Sequence, residues 1–152
     1  TKIFAGKNLM NNKKSLIIRT NFTGFKKNLN KTFVGWLLDN IKRKKKISLF
    51  NDFYVSTIDV NFCSKVIIKL IKKKAKGIYN IGSRKSISKE RFAILFANKM
   101  GKKLNYNSVS STKSDIKRPK NITMDISKIE RKLKILMPYP VAVINNLIKE
   151  LN

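Results

Sequence analysis

Apolar positions along the chain recur at two different spacings, and their alternation predicts an α/β protein. Short apolar runs mark strands at Ser15 to Arg19, Ile47 to Phe50, Gly77 to Ile81 and near Leu104 to Val109. Between them the spacing turns helical. Phe33, Trp36, Leu37 and Ile41 share one face from Thr32 to about Ile41. After Asp59, the residues Phe62, Cys63, Val66, Ile67, Leu70 and Ile71 form a second stripe, with Lys65, Lys69, Lys72 and Lys73 off it. Phe92, Leu95 and Phe96 give the buried face of a third helix, and two more are expected over Ile126 to Leu133 and Val141 to Leu151, separated by Pro138 and Pro140. Residues 2 to 12 read as the tail of a helix, Thr20 to Asn30 as a loop, the stretch through Thr57 as irregular, and Ser108 to Ser114 as a surface loop.

Local chemistry agrees with these boundaries. Asp59 and Ser88 stand where helix N-caps are needed, because their side-chain oxygens can accept from the unpaired N–H groups of a first turn. Glu90 suits the first turn of the third helix and Gly101 its end, while Lys42 to Lys46 close the first helix at its negative pole.

Composition narrows the function less than it first suggests. The net charge of +27 invites a nucleic-acid or anionic-surface partner, since clustered lysines release counterions from phosphate backbones. The basic residues are instead dispersed along the whole chain, and most are Lys, abundant here together with Asn and Ile. All three are encoded by A- and T-rich codons, so compositional drift accounts for the charge, and no specific nucleic-acid partner is expected. A single cysteine, Cys63, excludes an internal disulfide, and the lack of histidine argues against a zinc site. Both point to a reducing compartment, the cytoplasm. Apolar runs such as Val66 to Ile68 are too short for a membrane span, so no membrane partner is expected, and homodimerisation is left open.

Complete catalytic sets are missing. There is no Ser–His or Cys–His pair and no phosphate-binding G-x-G-x-x-G or P-loop. The carboxylates nearest to a pair, Asp52 and Asp59, read at least as well as turn and cap residues. Trp36 and Cys63 read as core residues, and no metal site is expected.

The order of short motifs adds a resemblance. Thr1-Lys2, then Leu16-Ile17-Ile18-Arg19-Thr20-Asn21-Phe22 with Gly24, is followed by Ile47-Ser48-Leu49-Phe50-Asn51-Asp52 and Val55-Ser56-Thr57. After these come Gly77-Ile78-Tyr79-Asn80-Ile81-Gly82, the Ser88-led helix, Arg118-Pro119 and Asp125. This succession resembles the extended short-chain dehydrogenase/reductase family, also called the NAD-dependent epimerase/dehydratase family, and is most similar to its dTDP-4-dehydrorhamnose reductase branch. Departures are visible: Tyr54 stands where the family usually has Gly, Ser56 where it has Pro, and Phe22 where that branch often has Trp.

The resemblance implies an α/β architecture, the C-terminal part of a Rossmann-type NAD(P)-binding fold with a small substrate-binding lobe. Residues 1 to 152 would form one sugar-nucleotide-binding portion, with the dinucleotide-binding half lying outside this chain. The implied activity is reduction of a nucleotide-linked 4-keto sugar with NADPH or NADH; epimerases and dehydratases share the scaffold and remain open. Lys2 would belong to the Y-x-x-x-K motif, contacting the nicotinamide ribose and lowering the pKa of a tyrosine four residues upstream. Thr20 and Asn21 would lie beside the nicotinamide, Asn21 and Phe22 beside the sugar, and Arg118 would hold the substrate diphosphate. For a fragment without the phosphate loop, no activity on its own is expected.

Overall fold

The computed structural model describes residues 14–25, 32–113 and 119–151. Its first half contains β1 (Leu16–Thr20), β2 (Phe22–Thr23), α1 (Phe33–Lys42), β3 (Ile47–Phe50), β4 (Tyr54–Val55), β5 (Ile58–Asp59) and α2 (Val60–Lys72). The second half contains β6 (Gly77–Ile81), β7 (Ile87–Ser88), α3 (Lys89–Lys99), β8 (Tyr106–Val109), β9 (Asn121–Ile122), α4 (Ser127–Leu133) and α5 (Pro140–Lys149). A short 3-10 turn spans Ser111–Lys113.

Parallel pairing dominates, as strands joined through helices require. β1 lies beside β6 with Leu16 opposite Gly77 and Thr20 opposite Ile81. β2 pairs with β5, and β3 with β8, both parallel. β4 is the centre of a three-stranded sheet, antiparallel to β7 and parallel to β9. The carboxyl ends of β1 and β3 both lead into loops that face one cleft, the usual place for a ligand in such folds.

Three helices start as their sequences specify. Thr32 accepts from the Gly35 amide at 3.1 Å, Asp59 from Phe62 at 2.8 Å and Ser88 from Arg91 at 3.1 Å. Each of these bonds satisfies an N–H that the helix itself leaves open. α1 buries Val34, Leu37, Leu38 and Ile41; α2 buries Cys63, Val66 and Leu70; α3 buries Phe92, Ala93, Phe96 and Ala97. α3 packs on α5, whose Val143, Ile144 and Leu147 are fully buried. Each of the Val, Leu, Ile and Phe side chains among them contributes about 1.5–3 kcal/mol by leaving water.

Several boundaries differ from the sequence reading. Thr20 closes β1, and the expected loop contains β2, because Phe22 and Thr23 find an extended partner in Ile58 and Asp59. The stretch expected to be irregular contains β4, held from both sides by β7 and β9. The fourth strand begins at Tyr106 rather than Leu104, and β8 runs to Val109, so Ser108 is strand and not loop. Ser111, expected on the surface, is buried. Pro140 is the first residue of α5, where its missing N–H costs nothing. Ile71 leaves the apolar stripe of α2 and is 60% exposed, since that helix turns it away from the sheet. The helix expected over residues 2 to 12 lies outside the described residues.

Candidate functional site

Beyond the carboxyl end of β1 the chain has to turn while keeping its polar backbone paired, and Asn21 is where it does so. The Asn21 carbonyl accepts from the Ile58 amide at 3.1 Å and from the Thr57 hydroxyl at 3.0 Å. Thr57 is buried, so its hydroxyl needs that acceptor. Gly24 lies so close to α2 that a Cβ there would sit 2.8 Å from the Val60 Cγ1, which explains the absence of a side chain. These contacts press the 20–25 segment against the start of α2, and an open space lies beside them, lined by that segment, Thr57 and Val60.

That space consists of two adjoining cavities. One, of about 370 Å³, is lined by Asn21, Phe22, Thr23, Thr32, Thr57 and Lys89 among others. The second, of about 510 Å³, has aromatic walls from Phe33, Trp36, Phe50 and Phe53, with Ser48 as a polar group. Asn21, Phe33 and Lys89 border both. Their sizes suit small organic ligands, and the mixture of apolar wall and a few polar groups is typical of such sites. The Lys89 ammonium lies over the Phe33 ring, 4.0 Å from its centroid, and Phe33 stacks on Trp36 with centroids 6.0 Å apart. Lys89 is the first residue of α3, and its amide donates to the Phe53 carbonyl at 3.2 Å.

The residues proposed from sequence fall in different places. Asn21 and Phe22 line the first cavity, and Phe22 is 61% exposed at its edge. Thr20 is not among the lining residues; its hydroxyl faces the Cys63 thiol on α2 at 3.7 Å. Burial of that thiol pushes its pKa up, which makes it a poor nucleophile. Lys2 and Arg118 lie outside the described residues. Asp52 and Asp59 are structural. Asp59 caps α2 and accepts from the Asn146 side chain at 3.1 Å, while Asp52 binds Ser110 and the Ser111 amide. No group of three or more Cys, Asp or Glu side chains among the described residues could hold a metal ion.

Sequence reasoning missed Lys89, Thr57, Phe50 and Phe53 as lining residues, and it read Trp36 as a core residue. Trp36 does pack on the core, but it is half-buried and walls the second cavity. Lys89 had a readable signal: it opens a helix directly after the cap Ser88, a place where a positive charge opposes the helix dipole.

A cleft at the carboxyl ends of parallel strands, with aromatic walls and polar backbone turns, defines an α/β ligand-binding unit. Its ancestry is plain from the sequence: residues 4–152 match the family model described as RmlD substrate binding domain. The chain belongs to that family. No relative was found among curated proteins. Solved structures share the fold. The dTDP-4-dehydrorhamnose reductase from Bacillus anthracis in complex with NADP superposes with a TM-score of 0.85 at 24% identity, over 98% of this chain and 53% of that one. The Yersinia enterocolitica dTDP-4-dehydrorhamnose reductase gives a TM-score of 0.77 at 20% identity, over 93% of this chain and 52% of that one. The UDP-glucuronic acid 4-epimerase of Bacillus cereus, in complex with UDP-glucuronic acid and NAD, gives 0.66 at 20% identity, over 90% and 45%. The chain thus spans about half the length of these enzymes.

Proposed function

We propose that this chain is the substrate-binding portion of an NAD(P)H-dependent reductase acting on a nucleotide-linked 4-keto sugar. The observation that carries the proposal is the family match over residues 4–152. The two-chambered cleft around Asn21 supports it, being large enough for the two ends of such a substrate. In this reading Asn21 and Phe22 border the sugar, and Arg118 neutralises diphosphate charge through a bidentate guanidinium. Lys2 holds its ammonium beside the proton-donating tyrosine of an upstream half and lowers that phenol's pKa.

The residues present fit only one end of a dinucleotide. The turn after β1 can border a nicotinamide, but the sequence has no G-x-G-x-x-G loop to cradle a pyrophosphate. An upstream dinucleotide-binding half supplies that cradle in our reading, and NADPH or NADH bound there supplies the hydride. We place the protein in the cytoplasm; among the described residues no helix is long and apolar enough to cross a membrane.

Two other readings have less support. The likeness to a UDP-glucuronic acid 4-epimerase keeps epimerisation as the second reading. A basic nucleic-acid-binding module is third. Several of the described lysines are exposed at the C-terminal ends of separate helices, such as Lys42 and Lys44 at the end of α1 and Lys72 to Lys74 at the end of α2, where helix dipoles favour cations.

The test is a protein joining this chain to its upstream half, assayed for NADPH oxidation on a panel of 4-keto sugar nucleotides. Turnover is expected, while the 152-residue chain alone shows no micromolar NADPH binding by calorimetry. Interconversion of two nucleotide sugars without net cofactor oxidation would replace the reductase by the epimerase. Micromolar NADPH binding by the chain alone would overturn the division of labour between halves.

A further inference from the structure

Two unlike surfaces share the exposed side of α2. The helix buries Cys63, Val66 and Leu70 in the core. On one flank Lys65, Lys69 and Lys72 are exposed, the ordinary solvated side of a helix. On the other flank Val60, Ser64, Ile67 and Ile71 follow one another at spacings of 4, 3 and 4 residues, so they form a single row, with Ile68 beside it. Ile68 is 52% exposed, Ile71 60% and Val60 37%, while Ile67 is half-buried. Nothing ionisable interrupts this row, in a chain with 35 Lys and Arg residues. Apolar surface gathered on one flank of a helix marks a place where another body is seated. The one polar member of the row is already satisfied. The Ser64 hydroxyl donates to the Asn61 carbonyl at 2.8 Å, so covering it leaves no donor without an acceptor.

Two observations bear on what covers the row. The chain spans about half the length of the reductases it matches, so in an enzyme of that length a second body of similar size has to seat on a surface of this one. The row also begins at the site: Val60 lines the first cavity together with Asn21 and Phe22, and it stands against Gly24. A body resting on α2 therefore reaches the rim of that cavity, where a cofactor-bearing half has to stand to present a hydride.

We infer that this row of α2, Val60, Ser64, Ile67 and Ile71 flanked by Ile68, is the surface that receives the upstream dinucleotide-binding half. The inference rests on the reading above and deepens it by naming where the two halves meet. Complementarity here is apolar rather than electrostatic, so the contact survives salt that screens the surrounding lysines.

Thiol labelling tests this on the protein that joins the chain to its upstream half. Single cysteines replace Ile71 in the row and Lys72 on the charged flank, two sequence neighbours that are both exposed in the present chain. A maleimide labels them, peptide mass spectrometry reads the position, and each rate is taken relative to the same protein in urea. Labelling depends on access to the thiolate, so Ile71→Cys should react about 10-fold or more slowly than Lys72→Cys. Ile68→Cys provides the same comparison should Ile71→Cys fail to fold. The ratio should hold on dilution and at higher salt. Equal rates at the two positions would overturn the proposal. Protection that disappears on dilution would assign the face to a second copy of the protein and overturn it as well. Reduction of 4-keto sugar nucleotides by the wild-type joined protein is scored separately. Turnover with an unprotected row would sink the docking face and leave the reductase reading, whereas protection without turnover would keep the face and remove that reading.

Discussion

The hydroxyl of Thr57 donates to the backbone carbonyl of Asn21 at 3.0 Å, tying together two segments 36 residues apart. The same carbonyl accepts from the Ile58 amide, so the turn after β1 is clamped to the lead-in of β5 by two donors. Both residues border the first cavity. A fold contact and a site contact are therefore one and the same bond.

Thr57→Val keeps the shape and removes the donor. A typical net hydrogen bond is worth about 0.5–1.5 kcal/mol, and Thr57 is buried, so stability should fall within that range. The Asn21 carbonyl retains Ile58, which keeps the loss from growing larger. Urea unfolding of Thr57→Val beside wild type measures it. Equal midpoints would show that the Ile58 amide alone fixes the turn.

Asp52 fastens the far end of the small sheet. One carboxylate oxygen accepts from the Ser110 hydroxyl at 2.6 Å and the other from the Ser111 amide at 2.7 Å. These bonds, that of Ser110 first, lower its pKa from the ordinary 3.8 to about 2. Because the folded value is depressed, the stabilisation is complete above the ordinary value. It is lost as pH falls from 3.8 through about 2. The Ser111 amide resonance, followed by NMR on acid titration, should move in that window in wild type. In Asp52→Asn it should stay flat. A Ser111 amide that titrates alike in both proteins would exclude the carboxylate as the cause.

What the sequence made legible follows from where the information is local. Long helices with Thr32, Asp59 and Ser88 at their starts were readable because cap and apolar stripe are written within a few residues of each other. The two-residue strands β2, β4, β5, β7 and β9 were not, since each exists only through a partner distant in the chain. Helix ends were also obscured: Lys44, Lys74 and Lys134 take the left-handed conformation usually given to glycine, with φ of 54°, 47° and 53°. At the site, Asn21 and Phe22 came from motif order and do border the first cavity. Lys89 and Phe53 approach the cleft from β7–α3 and the segment before β4, a juxtaposition no single stretch of sequence encodes. Gly82 illustrates the same point, as a Cβ there would meet the Ser56 carbonyl oxygen at 2.5 Å, across 26 residues.

Phe22 separates binding from folding most cleanly. It is 61% exposed, although phenylalanine normally gains by burial, and it stands at the edge of the first cavity. Phe92 is the opposite case, 1% exposed and packed between Phe33 and Phe96. Truncating an exposed side chain changes stability by no more than about 0.5 kcal/mol, whereas emptying a buried phenylalanine site costs about 3–5 kcal/mol. Phe22→Ala should therefore unfold like wild type and Phe92→Ala far earlier. If Phe22 covers a bound sugar, its ring contributes about 0.5–1.5 kcal/mol of contact, and nucleotide-sugar affinity should drop about 2- to 10-fold in Phe22→Ala. Affinity for the free nucleoside diphosphate should not change, because Phe22 does not line the second cavity. Thermal unfolding and calorimetry on the same preparations decide it. A stability loss near that of Phe92→Ala would make Phe22 part of the fold, and unchanged sugar-nucleotide affinity would remove it from the site.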